Sequence, residues 1–163
     1  MTTNELIATT LVQNLDMLKM TLGDFSDADM LVRPAPGANH AAWQLGHLAG
    51  SEAHLVNAAS PGAIPAFPEE FSNRFTKETA SVDDPAAFPK KAELIAAMEK
   101  VRAATIQWVK GLSQADLDAP TPEKLQRFAA TRGHLAIMTG AHLMMHMGQF
   151  QVIRRKLGKP VLF

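Results

Sequence analysis

Five histidines carry the chemical signal in this chain. The stretch NHAAWQLGHLAGSEAH, residues 39–54, sets His40, His47 and His54 seven residues apart, and HLMMHMGQ, residues 142–149, sets His142 and His146 four apart. A neutral imidazole is a metal ligand and a proton carrier near pH 7. The chain has no cysteine, so a metal must be held by His, Asp or Glu, and disulfides and thiolate nucleophiles are excluded. Seven helical residues return to nearly the same face but rise about 10.5 Å. Two nitrogens bonded to one zinc at about 2.0–2.1 Å lie far closer than that. His40, His47 and His54 therefore cannot share an ion.

His142 and His146 can. One turn separates them, about 5–6 Å between Cβ atoms, so both rings can converge on one point. The same spacing also arises by chance on an amphipathic helix, with each ring facing water or a carbonyl. The pair is not the protease motif HExxH, because Leu143 stands where its general-base Glu would be. Catalytic zinc usually has three protein ligands and one open position. His47, near the middle of its helix, is the candidate for the third.

Four helices must position these side chains. The first is predicted from Thr3 to Leu22, opened by a Thr2–Glu5 capping box and stopped at Gly23. Asn39 reads as the N-cap of a second helix from His40 to Ala59, ended by Pro61 and Gly62. A third runs from Lys90 to Leu112 along a stripe of Leu94, Met98, Val101, Thr105 and Trp108. The fourth runs from Thr131 to Leu157, with Gly158 at C′ and an inward row of Leu135, Met138, His142, Met145, His146, Gln149 and Ile153. About thirty proline-containing residues separate the second and third helices, too many for a simple helix–helix turn. A long crossover of this kind lets consecutive helices run parallel, and Phe67, Phe71, Phe75 and Phe88 predict that it packs down. The expected fold class is all-α, a four-helix bundle with a long crossover between helices 2 and 3, as a single domain over residues 1–163.

Charge narrows the function classes. Sixteen basic residues balance sixteen acidic ones, so no overall field favours nucleic acid or an anionic membrane. The cluster Arg154, Arg155, Lys156 reads as a solvated helix end. The start MTTNELIATT lacks the basic, then apolar, pattern of a leader, and no eighteen apolar residues run together. A cytoplasmic location is the expectation.

The pattern W-x-x-x-H in AAWQLGHLAGSE, followed about a hundred residues later by H-x-x-x-H-x-G-Q in HLMMHMGQFQVIRRKLGKP, resembles the DinB/YfiT-like superfamily. The resemblance extends to DADMLVRPAPGANH before the first motif and to PEEFSNRF and DDPAAFPKKAEL in the crossover. It implies a bundle in which one histidine of the second helix and two of the last bind a divalent metal, commonly zinc or nickel. By position these are His47, His142 and His146. It also implies frequent homodimers, and, for some relatives, transferase or isomerase chemistry with a low-molecular-weight thiol as cosubstrate. Many relatives carry a more polar segment between the last two ligands, such as Glu where this chain has Leu143.

Trp43, one turn before His47, reads first as core packing whose face borders the site, and Gln149, three residues after His146, reads equally as ligand support or pocket lining and as a cap on a carbonyl. His40 is expected at the pocket rim or in solvent, and His54 and His134 are read as ordinary histidines. Glu52 is placed off the ligand face, which leaves no evident general base and no assigned catalytic residue. Three neutral imidazoles would leave the ion its full charge, suited to activating a thiol or water toward a small-molecule substrate. A thiol S-transferase type is favoured, with a small hydrolase close behind. The competing class is a noncatalytic metal-binding or stress-associated bundle.

Overall fold

The computed structural model describes residues 1–162. Its regular elements are all helical, joined by a single isolated bridge between Pro120 and Thr131. Four long helices form the bundle: α1 (Thr3–Leu22), α2 (Ala41–Ala59), α4 (Lys91–Gly111) and α7 (Arg132–Lys156). Three short ones lie in the connections: α3 (Glu69–Ser72), α5 (Gln114–Asp118) and α6 (Glu123–Gln126). No helix among the described residues is long and apolar enough to cross a membrane.

The ends of the helices follow from local chemistry. Thr2 and Glu5 form the expected capping box, and Gly158 adopts φ +67° after α7, a left-handed conformation that glycine enters without strain. Helices also cap one another. Asn4 of α1 donates to the Val109 and Leu112 carbonyls at the end of α4. Lys91, the first residue of α4, donates through Nζ to the carbonyls of Leu22, Gly23 and Phe25 at the end of α1. These contacts make α1 and α4 antiparallel. Ala42 packs near Phe88 and Lys90 at one end, and Val56 meets Val101 further along, so α2 and α4 run parallel as the long crossover allows. Helices α1 and α2 each pack on both α4 and α7.

The crossover is seated, not free. Phe67 stacks on Phe71 at 4.5 Å, Phe71 meets Phe75 at 5.0 Å, and Phe75 and Phe88 are buried against α2. Gly46 of α2 makes room for this, since a Cβ there would overlap the Phe75 ring. Gly46→Ala is expected to destabilise the fold by about 1–3 kcal/mol through overpacking, read as a lower urea midpoint. An unchanged midpoint would mean that the Phe75 ring does not depend on this seat.

Several expectations are corrected. The N-cap of α2 is His40, not Asn39, and His40 is fully buried, not at a rim. Its Nδ1 accepts the Trp43 N–H at 3.0 Å, so its Nε2–H donates to the Val82 carbonyl at 3.2 Å. Arg154 is no solvated helix end: it is buried and donates to Asp24, Thr21 and Pro160 oxygens, while Arg155 and Lys156 remain exposed. The inward face of α7 is rotated from the expected row. Leu143, Met147 and Phe150 are buried, and Met145 is 61% exposed.

Candidate metal centre

Helices α2 and α7 run antiparallel, which brings the middle of one against the middle of the other. His47, His142 and His146 meet there, with one ligand nitrogen from each ring lying within 4.8 Å of the others. The His142 and His146 rings are 4.9 Å apart, and each lies 5.4–5.7 Å from His47. The two Nε2 atoms of the α7 pair approach to 3.2 Å. Two nitrogens bonded to one ion at about 2.0–2.1 Å can be no more than about 4.2 Å apart, so this pair already has the spacing of ligands, and a His47 nitrogen lies within 4.8 Å of both.

The tautomer of His146 is fixed from outside the triad. Gln44 Nε2 donates to the Asn39 carbonyl at 2.5 Å, which turns Gln44 Oε1 toward His146 Nδ1 at 2.7 Å. The oxygen can only accept, so Nδ1 carries the proton and Nε2 keeps its lone pair facing His142. From the sequence, Gln149 is one candidate for this support, with pocket lining or a carbonyl cap as its other readings. Gln149 is half-buried and makes no hydrogen bond to the three rings, whereas Gln44 is buried beside them. The signal for Gln44 was its position one turn before Leu48 and three residues before His47, on the ligand side of α2.

Trp43 stacks on His47 at 4.9 Å with the ring planes 11° apart, and its indole N–H donates to Thr76 and Thr79 of the crossover. Ser51, one turn beyond, holds its hydroxyl 3.4 Å from the His47 nitrogens. His54, read from the sequence as an ordinary histidine, is exposed and lines the same cavity as His47 and His142. His134 is exposed in the first turn of α7. Glu52 does lie off the ligand face, locked in a buried pair with Arg102.

Burial holds all three imidazoles neutral. It lowers the pKa of His47 and His142, and it pushes His146 down to about 4, with the neighbouring rings adding to the effect. Three neutral nitrogen donors and no carboxylate suit a borderline ion of the zinc or nickel kind, and not calcium or magnesium, which prefer oxygen. The donor set fits a divalent transition metal.

The same shift predicts an acid sensitivity. The folded pKa of His146 lies below the unfolded value near 6.5, so between about pH 6.5 and 4 the unfolded chain binds a proton that the folded chain does not. Stability of metal-free protein is expected to fall by about 3 kcal/mol as pH drops through that window. Urea unfolding at pH 7 and 4.5 tests this; replacing His146 by Phe should shrink the difference, leaving the part that His40, His47 and His142 contribute with the same sign, and a flat wild-type profile would contradict the buried neutral ring.

An all-helical bundle whose second and last long helices converge three neutral histidines is a class of fold and site together. The DinB superfamily sequence profile matches residues 10–150, and the chain belongs to that superfamily. Among solved structures, a conserved protein from Enterococcus faecalis is similar, with a TM-score of 0.73 at 20% identity over 98% of this chain and 99% of that one. That likeness concerns the fold. No curated protein matches.

Proposed function

We propose that the protein is a metal-dependent enzyme of the thiol S-transferase type, with His47, His142 and His146 holding a zinc or nickel ion. The observation that carries this reading is the convergence of three neutral imidazoles, two of which, His47 and His142, line an open, largely apolar cavity of 550 Å³. A divalent cation held there supplies Lewis acidity, which lowers the pKa of a thiol or a water molecule into the neutral range. The chain's own residues do the rest. Gln44 keeps the His146 lone pair aimed inward, Trp43 fixes the plane of His47, and the apolar walls limit competing water.

Thiol transfer is preferred to hydrolysis for a specific reason. The carboxylate nearest in sequence on α2, Glu52, accepts hydrogen bonds from Arg102 and Thr105 and is 4% exposed, so it is not free to act as a general base on water. A low-molecular-weight thiol needs only the lowered pKa to become a nucleophile. The partner substrate is then a small electrophile. A homodimer is part of the proposal, supported by exposed Leu6 and Ile137 beside the groove between α1 and α7, and so is a cytoplasmic location, where small thiols are kept reduced.

Elemental analysis of tag-free protein loaded with zinc or nickel, followed by turnover of low-molecular-weight thiols with alkylating and isomerisable electrophiles, tests the reading. One bound ion per chain and thiol-dependent turnover are expected. Failure to retain any divalent metal would overturn the site. Retention without turnover of any thiol or ester class would favour the noncatalytic metal-binding bundle.

A further inference from the structure

The cavity beside the triad has a shape and chemistry of its own. His47 and His142 form one end, His54 lies two turns further along α2, and Leu55, Met138 and Met145 contribute the apolar wall. Phe128, from the connection between α6 and α7, lies at its edge with Arg127 stacked on the ring at 4.4 Å. Two helical turns set the ends about 10.5 Å apart. None of the lining residues is Lys, Arg, Asp or Glu, so along the apolar wall, away from the metal end and the Arg127 rim, a charged group would meet no counterion from the lining. Phe128 and Met145 are 56% and 61% exposed, a soft apolar rim that a bound molecule would cover. Beyond His54 the surface turns polar, and Lys124 lines the next depression.

We infer that this cavity selects an elongated, uncharged, mainly apolar substrate, whose reactive end lies at His47 and His142 and whose far end carries a hydrogen-bonding group read by His54. This inference rests on the metal-centre reading for the reactive end alone. The apolar wall and the His54 end follow from the side chains that line the cavity. The seven-residue interval between His47 and His54 then acts as a length gauge: a chain of about eight carbons spans two turns. His54 is a specificity-determining residue in this arrangement, remote from the reacting atoms.

The test uses two ligand series and the methionine methyl signals of the protein. Zinc-loaded protein is titrated by calorimetry with straight-chain hydroxamates of two to eight carbons and with the eight-carbon hydroxamate bearing a terminal hydroxyl. Affinity is expected to rise about three- to fourfold per added methylene, and the terminal hydroxyl to strengthen binding further in wild type but not in His54→Leu, whose zinc content stays unchanged. Zinc-free protein is titrated with 1-octanol and 1,8-octanediol while the Met138 and Met145 methyl resonances are followed, with exposed Met20 as the reference. Shifts at Met138 and Met145 alone support the inference. Affinity independent of chain length, or shifts that spare both residues, would overturn it, and a terminal-hydroxyl preference that survives His54→Leu would remove His54 from it. Failure of the metal reading has a different signature: zinc is not retained and the hydroxamates bind no tighter than alcohols of the same length, while the diol still moves the two methyls.

Discussion

Replacing Arg102 by Met is expected to destabilise the folded protein by about 3–5 kcal/mol, the usual result of stranding one half of a buried ion pair. Arg102 is fully buried, and its Nη2 donates to Glu52 Oε2 at 2.7 Å and to the Thr139 carbonyl at 3.4 Å. Thr105 donates to the other carboxylate oxygen at 2.6 Å. Three of the four long helices are thus tied together through one polar cluster. The cluster is imperfect, because Arg102 Nε and Nη1 have no partner, and burial pushes the Glu52 carboxyl upward even against the pull of the guanidinium. Removing the cation leaves a carboxylate that must either stay charged without a counterion or take up a proton. Replacing both residues, Arg102→Met with Glu52→Leu, is expected to recover most of the loss, since apolar substitutes for buried pairs are often neutral or stabilising. Urea denaturation over the double-mutant cycle measures both effects. A loss below about 1 kcal/mol in Arg102→Met would show that the pair does not hold the helices together.

The second large effect is on metal affinity. His146→Phe is expected to weaken zinc binding by more than about 100-fold, beyond the 10–100-fold that loss of an outer hydrogen-bond partner produces. Gln44→Leu should fall within that smaller range, because the ligand remains but the proton on its Nδ1 is no longer held. Exposed His134, changed to Phe in the same way, should bind zinc as wild type does. Competition against a chelating dye gives all three values. Wild-type affinity in His146→Phe would exclude the triad as the metal site, and wild-type affinity in Gln44→Leu would show that the tautomer needs no outside support.

The four long helices were legible because their signals are local. Capping at Thr2 and Glu5, glycine at 158, and apolar positions at helical spacing all act within a turn or two of chain. The triad was legible for a related reason: an i, i+4 pair and the limit on metal–nitrogen distances leave few ways to complete a site. The rotation of α7 was not, because Leu143, Met144, Met145 and Met147 are apolar on every side and give no stripe to read. Choosing between Gln44 and Gln149 depends on how α2 and α7 register against each other, which no single helix records. Arg102 and Arg154 were hidden by their type, since arginines are mostly exposed and the partners that account for their burial, such as Glu52 and Thr139 for Arg102 and Asp24 and Thr21 for Arg154, lie far away in sequence. The segment from α5 to α7 carried a Ser113–Asp116 capping box that could have marked its first turn.

Irregular surface segments are ordinarily where a chain accepts insertions and sequence drift. The crossover here is an exception along part of its length. Val82 accepts from His40, and Thr76 and Thr79 accept from the indole that lies flat on His47. An added residue between 76 and 82 would pull on the start of α2 and on the plane of a proposed ligand together. Latitude for lengthening is found instead at exposed points such as Pro65–Ala66. The least regular stretch of the chain is thereby among its least editable.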